Sequence, residues 1–126
     1  MKLVEQPEGS RQCGQACVAM LANTTLEDVV GMVGPRLTKW DEIYSALFQY
    51  GIPAQPNLEP VFHQDDLPET SVVIIPTGSS LFRHCVVVHE CVVYDPAVGC
   101  YPVEKLRFRR TPAHLVLKFA SVTDIE

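Results

Sequence analysis

The chain has 126 residues, of which 47% are hydrophobic and 20% charged, and these values are typical of one globular domain. Its apolar runs fall far short of the roughly 18 residues that a membrane-spanning helix needs, so no membrane segment is expected. Ten basic and fifteen acidic residues give a net charge of -5, which excludes a general electrostatic attraction to nucleic acid.

Cysteine usage and the amino-terminal residues predict a cytoplasmic protein. No apolar run follows Lys2, so the start is not a secretory signal. The five cysteines are an odd number, and a reducing compartment keeps them as free thiols, one of which is expected to react. The basic run 105–110 is interpreted as a charged edge strand rather than an anion site.

Helical patterns occupy the first half of the chain. The residues from Cys13 to Ala22 are apolar on every side, which predicts a buried central helix. A second, short helix is expected to begin after Thr25 and to end at Gly34.

A third helix is expected to begin at a Thr38 cap. Its apolar stripe includes Trp40, Tyr44 and Phe48, which are interpreted as core residues rather than as a binding surface. The helix is expected to end at Gly51.

Strand patterns fill the second half, after a proline-punctuated loop at 53–68. The predicted strands are 71–75, 84–88, 91–94 and 113–120, with a turn at 77–80. Helices followed by strands indicate an α+β class, and residues 1–126 are expected to form a single domain.

The strands 84–88 and 91–94 predict a tight antiparallel hairpin. A two-residue loop at His89 and Glu90 sets His84 opposite Asp95, where an imidazole and a carboxylate can form a hydrogen bond. Cys13 lies at a helix start, where the macrodipole favours the thiolate. A thiol, an imidazole and a carboxylate are the parts of an activated cysteine nucleophile.

These residues carry a family resemblance. Gln6, the run 12–17 (Gln-Cys-Gly-Gln-Ala-Cys), the run 84–88 (His-Cys-Val-Val-Val), Tyr94-Asp95-Pro96 and Gly99 together resemble the papain-like peptidase domains that process double-glycine leader peptides of bacteriocins. The likeness covers residues 6–99. It implies a papain-like fold, in which N-terminal helices and a central helix with the nucleophile pack on a C-terminal antiparallel sheet.

The resemblance also implies residue roles. Cys13 corresponds to the nucleophile, His84 to the base, Asp95 to the residue that orients the base, and Gln6 to a donor of the oxyanion hole. Gln6 lies seven residues before the cysteine rather than the usual six, so Gln12 is kept as an alternative donor. The expected activity is cysteine-dependent hydrolysis of a peptide or isopeptide bond in a peptide or protein substrate, without a metal or cofactor.

One further site residue is expected from the chemistry of the helix start, and the resemblance has a limit. Gly14 is expected to let substrate approach the helix end without a Cβ in the way. The family domain usually belongs to a membrane exporter, and this chain has neither membrane spans nor a phosphate-binding glycine loop. The substrate and the oligomeric state therefore stay open.

The other thiols and imidazoles are interpreted as structural. Cys17 is expected in the core, Cys85 and Cys91 as packing residues, Cys100 in a loop, and His89 in a solvated turn.

Three other readings compete with hydrolysis. Cys13 and Cys17 with hairpin residues supply zinc ligand types, although their spacing inside an apolar helix is poor for a metal site. A non-catalytic module could use the same fold to bind a peptide. Glutamine deamidation and acyl transfer use the same thioester chemistry as hydrolysis, so the three residues alone do not separate these reactions.

Overall fold

The computed structural model describes residues 1–76, 83–106 and 113–116, and these residues form an α+β domain, as predicted. The helices are α1 (Cys13–Ala22), α2 (Leu26–Val33) and α3 (Trp40–Gln49). The strands are β1 (Glu59–Pro60), β2 (Thr70–Pro76), β3 (Arg83–His89), β4 (Val92–Asp95), β5 (Gly99–Pro102) and β6 (Ala113–Val116). They form one antiparallel sheet in the order β1-β6-β2-β3-β4-β5.

The ends of the first two helices have local causes. Helix α1 stops at Asn23, which takes the left-handed conformation with φ 54° and donates its N–H to carbonyls of the last turn. The Thr25 hydroxyl caps α2 by accepting the Asp28 N–H at 3.1 Å, which confirms the predicted start of this helix.

The predicted cap of α3 is wrong by one residue. The N-cap is Lys39 rather than Thr38, and the Glu42 carboxylate accepts the Lys39 backbone N–H at 3.0 Å. This acidic side chain three residues into the helix satisfies an orphan donor at the helix start, so no capping hydroxyl is needed.

The turn of the β3–β4 hairpin also differs from the prediction. Its central residues are Glu90 and Cys91, with φ 50° and 66°, and positive values at both positions are those of a type I′ turn. The turn is held from both sides, because Glu90 N–H donates to the Glu69 carbonyl and Cys91 carbonyl accepts from Val103 N–H, each at 2.9 Å. These contacts with neighbouring segments keep two non-glycine residues in a conformation that the local sequence does not favour.

Moving the turn by one residue shifts the register by two. Val93 pairs with Val88 rather than with Val86 as predicted, and His84 is therefore not directly opposite Asp95. Because side chains alternate between the two faces of a strand, a shift of two keeps every residue on its predicted face. His84 and Asp95 thus remain on one face, as diagonal neighbours.

Several segments depart from the predicted pattern. The segment predicted as a loop at 53–68 contains strand β1 and a 3-10 turn at Gln64–Asp66. Strand β5 was not predicted, and the exposed Cys100 lies on it rather than in a loop. Lys105 lies in a 3-10 turn rather than in a charged edge strand. The rest of that basic run, the turn at 77–80 and the last strand beyond residue 116 lie outside the described residues.

The sheet buries apolar side chains on both faces. On the face toward the helices the buried residues of β2 and β3 are Val72, Ile74, Cys85 and Val87. On the other face they include Val73, Val86, Val88 and Val93, which pack with Leu106. Burial on both faces explains why these strands read as continuous apolar runs.

The apolar stripe of α3 is only partly core. Ile43 and Leu47 are buried, and Trp40 and Tyr44 are half-buried against the core. Phe48 is 69% exposed, so its prediction as a core residue is wrong.

Gly14 is fixed by close packing between α1 and the segment before α3. A Cβ built on Gly14 would overlap Thr38 Oγ1 and would lie 3.2 Å from Ile43 Cδ1. The space that a side chain would need is filled by Thr38, so the glycine serves the packing of α1. A substrate approach over Gly14 stays a prediction.

We expect Gly14→Ala to lower the free energy of unfolding by about 1–3 kcal/mol, because overpacking forces the neighbouring atoms to shift. Thr38→Ala in the same chain should restore most of the loss, since it removes the overlapping oxygen, which is buried without a hydrogen-bond partner among the described residues. Urea denaturation of the two single variants and the double variant measures this coupling. Additive losses would contradict the packing explanation.

Candidate active site

Cys13 is the first residue of α1, and its side chain points into the interface between this helix and the sheet. It is only 4% exposed. The helix begins here because the Gln12 carbonyl accepts the Ala16 N–H at 3.0 Å. Cys13 therefore lies at the positive end of the helix dipole, and the first turn contains no acidic residue that would offset it.

His84 and Asp95 form a short hydrogen bond beside this helix end. His84 Nε2 lies 2.7 Å from Asp95 Oδ1, and Asp95 is buried while His84 is half-buried. The diagonal register leaves a gap that a long imidazole side chain spans. The sequence expectation that these two side chains interact is confirmed, although by a different register.

The turn after β4 orients the Asp95 carboxylate. Asp95 Oδ1 also accepts the Ala97 N–H at 2.8 Å, and the Asp95 carbonyl accepts the Val98 N–H at 3.2 Å. An aspartate followed by proline favours this turn, in which the side chain bonds the backbone two residues on. The turn thus fixes the carboxylate independently of its hydrogen bond with the imidazole.

The Cys13 sulfur accepts hydrogen bonds from two neighbouring residues of β3. Both the thiol and the backbone N–H of Cys85 contact it, and so does the His84 ring. Because Nε2 of His84 is bonded to Asp95, the ring nitrogen that remains for Cys13 is Nδ1. The structure therefore brings together Cys13, His84 and Asp95, which we call the Cys–His–Asp cluster.

The contacts shift the pKa of each group toward its charged form. The Cys85 thiol, aided by His84 and the Cys85 backbone, outweighs burial and lowers the pKa of Cys13 to about 4. Hydrogen bonds to Asp95 and then to Cys13 raise the pKa of His84 to about 9, against burial. Burial raises the pKa of Asp95, but the hydrogen bonds from His84 and the Ala97 N–H outweigh it, and the pKa ends below its ordinary value.

These directions define a charge state. Cys13 is a thiolate above its lowered pKa and His84 is an imidazolium below its raised pKa, so the two form an ion pair between about pH 4 and about 9. A thiolate beside an imidazolium whose second nitrogen is held by a carboxylate is a nucleophile with an adjacent acid.

A backbone hydrogen bond ties Gln6 to the residue that follows Asp95. The Gln6 N–H donates to the Pro96 carbonyl at 3.0 Å, directly after Asp95, and its side-chain Nε2 donates to the Ser10 carbonyl at 2.8 Å. The Gln6 Oε1 is buried without a hydrogen-bond partner among the residues described. One hydrogen of the Nε2 group remains for another acceptor.

Gln12 lies on the other side of Cys13, at the N-cap of α1, where its side chain makes no capping hydrogen bond. Its N–H donates to Ser10 Oγ at 3.4 Å. Both glutamines therefore flank the helix start, and the choice of Gln6 over Gln12 stays a prediction.

A cavity of about 460 Å³ lies between the segments 5–9 and 96–99, the second of which directly follows Asp95 in the chain. Gln6 and the Pro96 turn form part of its wall, together with the carboxylates of Glu5 and Glu8 and the side chain of Val98, which is 77% exposed. Its lining residues include none of Cys13, His84 and Asp95.

Gln15 is a site-supporting residue that the sequence analysis missed. It is fully buried, and its Nε2 donates to the carbonyls of Gly34 at 2.8 Å and Arg36 at 2.7 Å. These bonds fasten the connection between α2 and α3 to the turn of α1 that carries Cys13. A polar residue in an otherwise apolar helix was the available signal.

The remaining cysteines divide between core and surface. Cys17 is fully buried, as predicted, and burial first, then the negative charge of Cys13, raises its pKa well above the ordinary value. Cys85 is buried, but its contact with the Cys13 sulfur was not foreseen. Cys91 is exposed in the hairpin turn, so its prediction as a packing residue is wrong.

His89 lies at the far end of β3 from the cluster. It is the last residue of that strand and is half-buried, and its Nδ1 lies 2.6 Å from Thr70 Oγ1. The prediction that His89 lies in a solvated turn is therefore wrong. His89 provides a matched control for His84 on the same strand.

Within residues 1–76, 83–106 and 113–116, no group of three or more histidine, cysteine or acidic residues could hold a metal ion. No helix in this part of the chain is both long enough and apolar enough to cross a membrane. No family model and no curated protein matches the chain.

We expect Cys13 to be the thiol that iodoacetamide alkylates first, and its rate to rise with pH around pH 4, where the thiolate forms. Asp95→Asn should slow this reaction at least roughly 10-fold at about pH 6, because a less basic His84 no longer holds the thiolate. Mass mapping after brief treatment gives the rates. His89→Ala should leave them unchanged, and equal slowing in both variants would contradict the geometry.

Proposed function

We propose that the protein is a cysteine hydrolase that cleaves a peptide or isopeptide bond with Cys13, His84 and Asp95. The single observation that carries the proposal is the continuous contact from the Cys13 sulfur through the His84 ring to the Asp95 carboxylate. A papain-like fold is part of the proposal, since a helix with the thiol at its start packs on an antiparallel sheet with the imidazole and carboxylate.

The cluster supports a two-step reaction. The Cys13 thiolate attacks the carbonyl carbon, and the His84 imidazolium gives its Nδ1 proton to the leaving amine, which leaves a thioester on Cys13. Neutral His84 then takes a proton from water, the resulting hydroxide attacks the thioester carbonyl carbon, and the C–S bond breaks, which releases the carboxylic acid product and restores the Cys13 thiolate beside the His84 imidazolium. Asp95 keeps Nε2 of the ring protonated, so that Nδ1 faces the reacting atoms in both steps.

The developing oxyanion needs donors near the start of α1. The backbone N–H of Cys13 lies at the positive end of the helix, and the Gln6 amide has one hydrogen left after its bond to Ser10. Such preorganised donors stabilise the negative charge that forms during attack. Gln6 is favoured over Gln12 because its main chain is tied to the residue after Asp95.

The same chemistry sets the conditions in which the enzyme works. A thiolate that is needed for every turnover requires a reducing compartment, which supports a cytoplasmic location. The substrate is proposed to be a peptide or protein segment, and the cavity between the segments 5–9 and 96–99, next in the chain to Asp95, is the candidate place for it.

A peptide library of defined composition tests the reaction. Incubation with the wild-type chain should create new amino termini, and Cys13→Ala and His84→Gln should create none. Addition of a primary amine distinguishes acyl transfer, and conversion of glutamine to glutamate without cleavage identifies deamidation. Identical library products from wild type and Cys13→Ala would contradict a cysteine-dependent reaction.

The oxyanion donor can be tested with the best substrate from that library. Gln6→Ala should lower kcat by roughly 10²-fold or more, the loss expected when one oxyanion-hole donor is removed. Alkylation of Cys13 should hardly change, since iodoacetamide attack builds no oxyanion. Gln12→Ala is the matched control, and the large loss in that variant instead would assign the role to Gln12.

A further inference from the structure

Cys85 makes and breaks no bond in the proposed hydrolysis, yet its thiol contacts the proposed nucleophile. Cys13 and Cys85 are each 4% exposed and lie in one buried cluster between α1 and β3. The residue after His84 points to the opposite face of its strand, toward α1, and this alternation brings the Cys85 thiol to the Cys13 sulfur. Two thiols are thus in hydrogen-bond contact, and one of them is ionised.

From this contact we infer that Cys13 and Cys85 form a peroxide-sensitive pair, in which Cys85 converts oxidised Cys13 into a reversible intramolecular disulfide. The inference deepens the proposed function, because it concerns the regulation of the same Cys13 sulfur. The disulfide would block hydrolysis and would protect the sulfur from irreversible oxidation.

The chemistry balances with a hydroperoxide as oxidant. The Cys13 thiolate attacks the distal oxygen, the O–O bond breaks, and the alkoxide leaves with a proton from His84, which gives a sulfenic acid on Cys13. The Cys85 sulfur then attacks the Cys13 sulfur, the S–O bond breaks, and the thiol proton leaves with the hydroxyl as water. Two thiols and one hydroperoxide become one disulfide, one alcohol and one water.

Geometry favours Cys85 over the other buried thiol. Cys17 lies four residues after Cys13 on the same helix, where Cβ atoms are about 5–6 Å apart. A disulfide spans Cβ atoms only about 3.5–4.5 Å apart, so pairing within α1 would break the helix. Cys91 and Cys100 are exposed, in the hairpin turn and on β5, and neither belongs to the cluster around Cys13.

The experiment uses the full chain with Cys91→Ser and Cys100→Ser, which removes the exposed thiols. The protein is treated with hydrogen peroxide, the remaining thiols are blocked with N-ethylmaleimide, and non-reduced peptides are mapped by mass spectrometry. We expect a peptide pair linked through Cys13 and Cys85, and full recovery of Cys13 alkylation after dithiothreitol.

Two variants assign the partner. In Cys85→Ala, peroxide should carry Cys13 to the sulfinic acid, and dithiothreitol should restore none of the alkylation. In Cys17→Ala, the matched control, the linkage and its reversal should persist. If Cys85→Ala fails to fold, the disulfide mapping of the parent chain with Cys91→Ser and Cys100→Ser still tests the inference.

Other products would overturn the inference. Cys13 oxidised to the sulfinic acid in the parent chain, a link from Cys13 to Cys17, or unreacted thiols would each do so. The peptide-library assay separates this outcome from the proposed function. Hydrolysis without the disulfide would overturn only the redox pair, and the disulfide without hydrolysis would overturn only the hydrolase.

Discussion

The hydrogen bond of 2.7 Å between His84 Nε2 and Asp95 Oδ1 is the interaction on which the proposed chemistry depends. It directs the second ring nitrogen toward Cys13 and, as the largest contribution, raises the pKa of His84 to about 9. Without it, the imidazole would have no fixed tautomer and would lose the largest of the contributions that raise its pKa. The buried carboxylate itself accepts the Ala97 N–H, so the turn after β4 fixes the position of the carboxylate that orients the ring.

The packing of α1 on the sheet brings Cys13 to the His84–Asp95 pair. Gly14 lets α1 approach Thr38 closely, and Gln15 fastens the same helical turn to the carbonyls before α3. These contacts fix the position of the Cys13 sulfur relative to β3. The Cys–His–Asp cluster is therefore built from a helix end and two strand ends, each held by its own neighbours.

The sequence was sufficient for the parts of the molecule that depend on local patterns. Helix α1, the Thr25 cap and the shared face of His84 and Asp95 follow from residue spacing, and the last survives an error in the hairpin turn because the shift is two residues. The turn itself was missed because Glu90 and Cys91 are not typical type I′ residues. Their conformation depends on two backbone hydrogen bonds, one donated to the Glu69 carbonyl and one accepted from the Val103 N–H, and both partners lie in other segments of the chain.

The other misses have the same physical origin. The Thr38 oxygen that fills the space beside Gly14, the two carbonyls bonded by Gln15 and the contact of Cys85 with Cys13 are all contacts between elements. Periodicity shows that a residue is buried but not which atom it meets. The exposure of Phe48 shows the converse, because an apolar stripe does not reveal where its covering surface ends.

The most direct test of the account is the protonation of His84, followed by nitrogen-15 NMR of the imidazole as a function of pH, with His84→Gln to assign the signals. The account predicts an imidazolium at neutral pH that loses its proton at a pKa of about 9, and a lower midpoint in Cys13→Ala, where the thiolate partner is absent. A His84 that is neutral at neutral pH, with a midpoint that Cys13→Ala leaves unchanged, would contradict the thiolate–imidazolium pair.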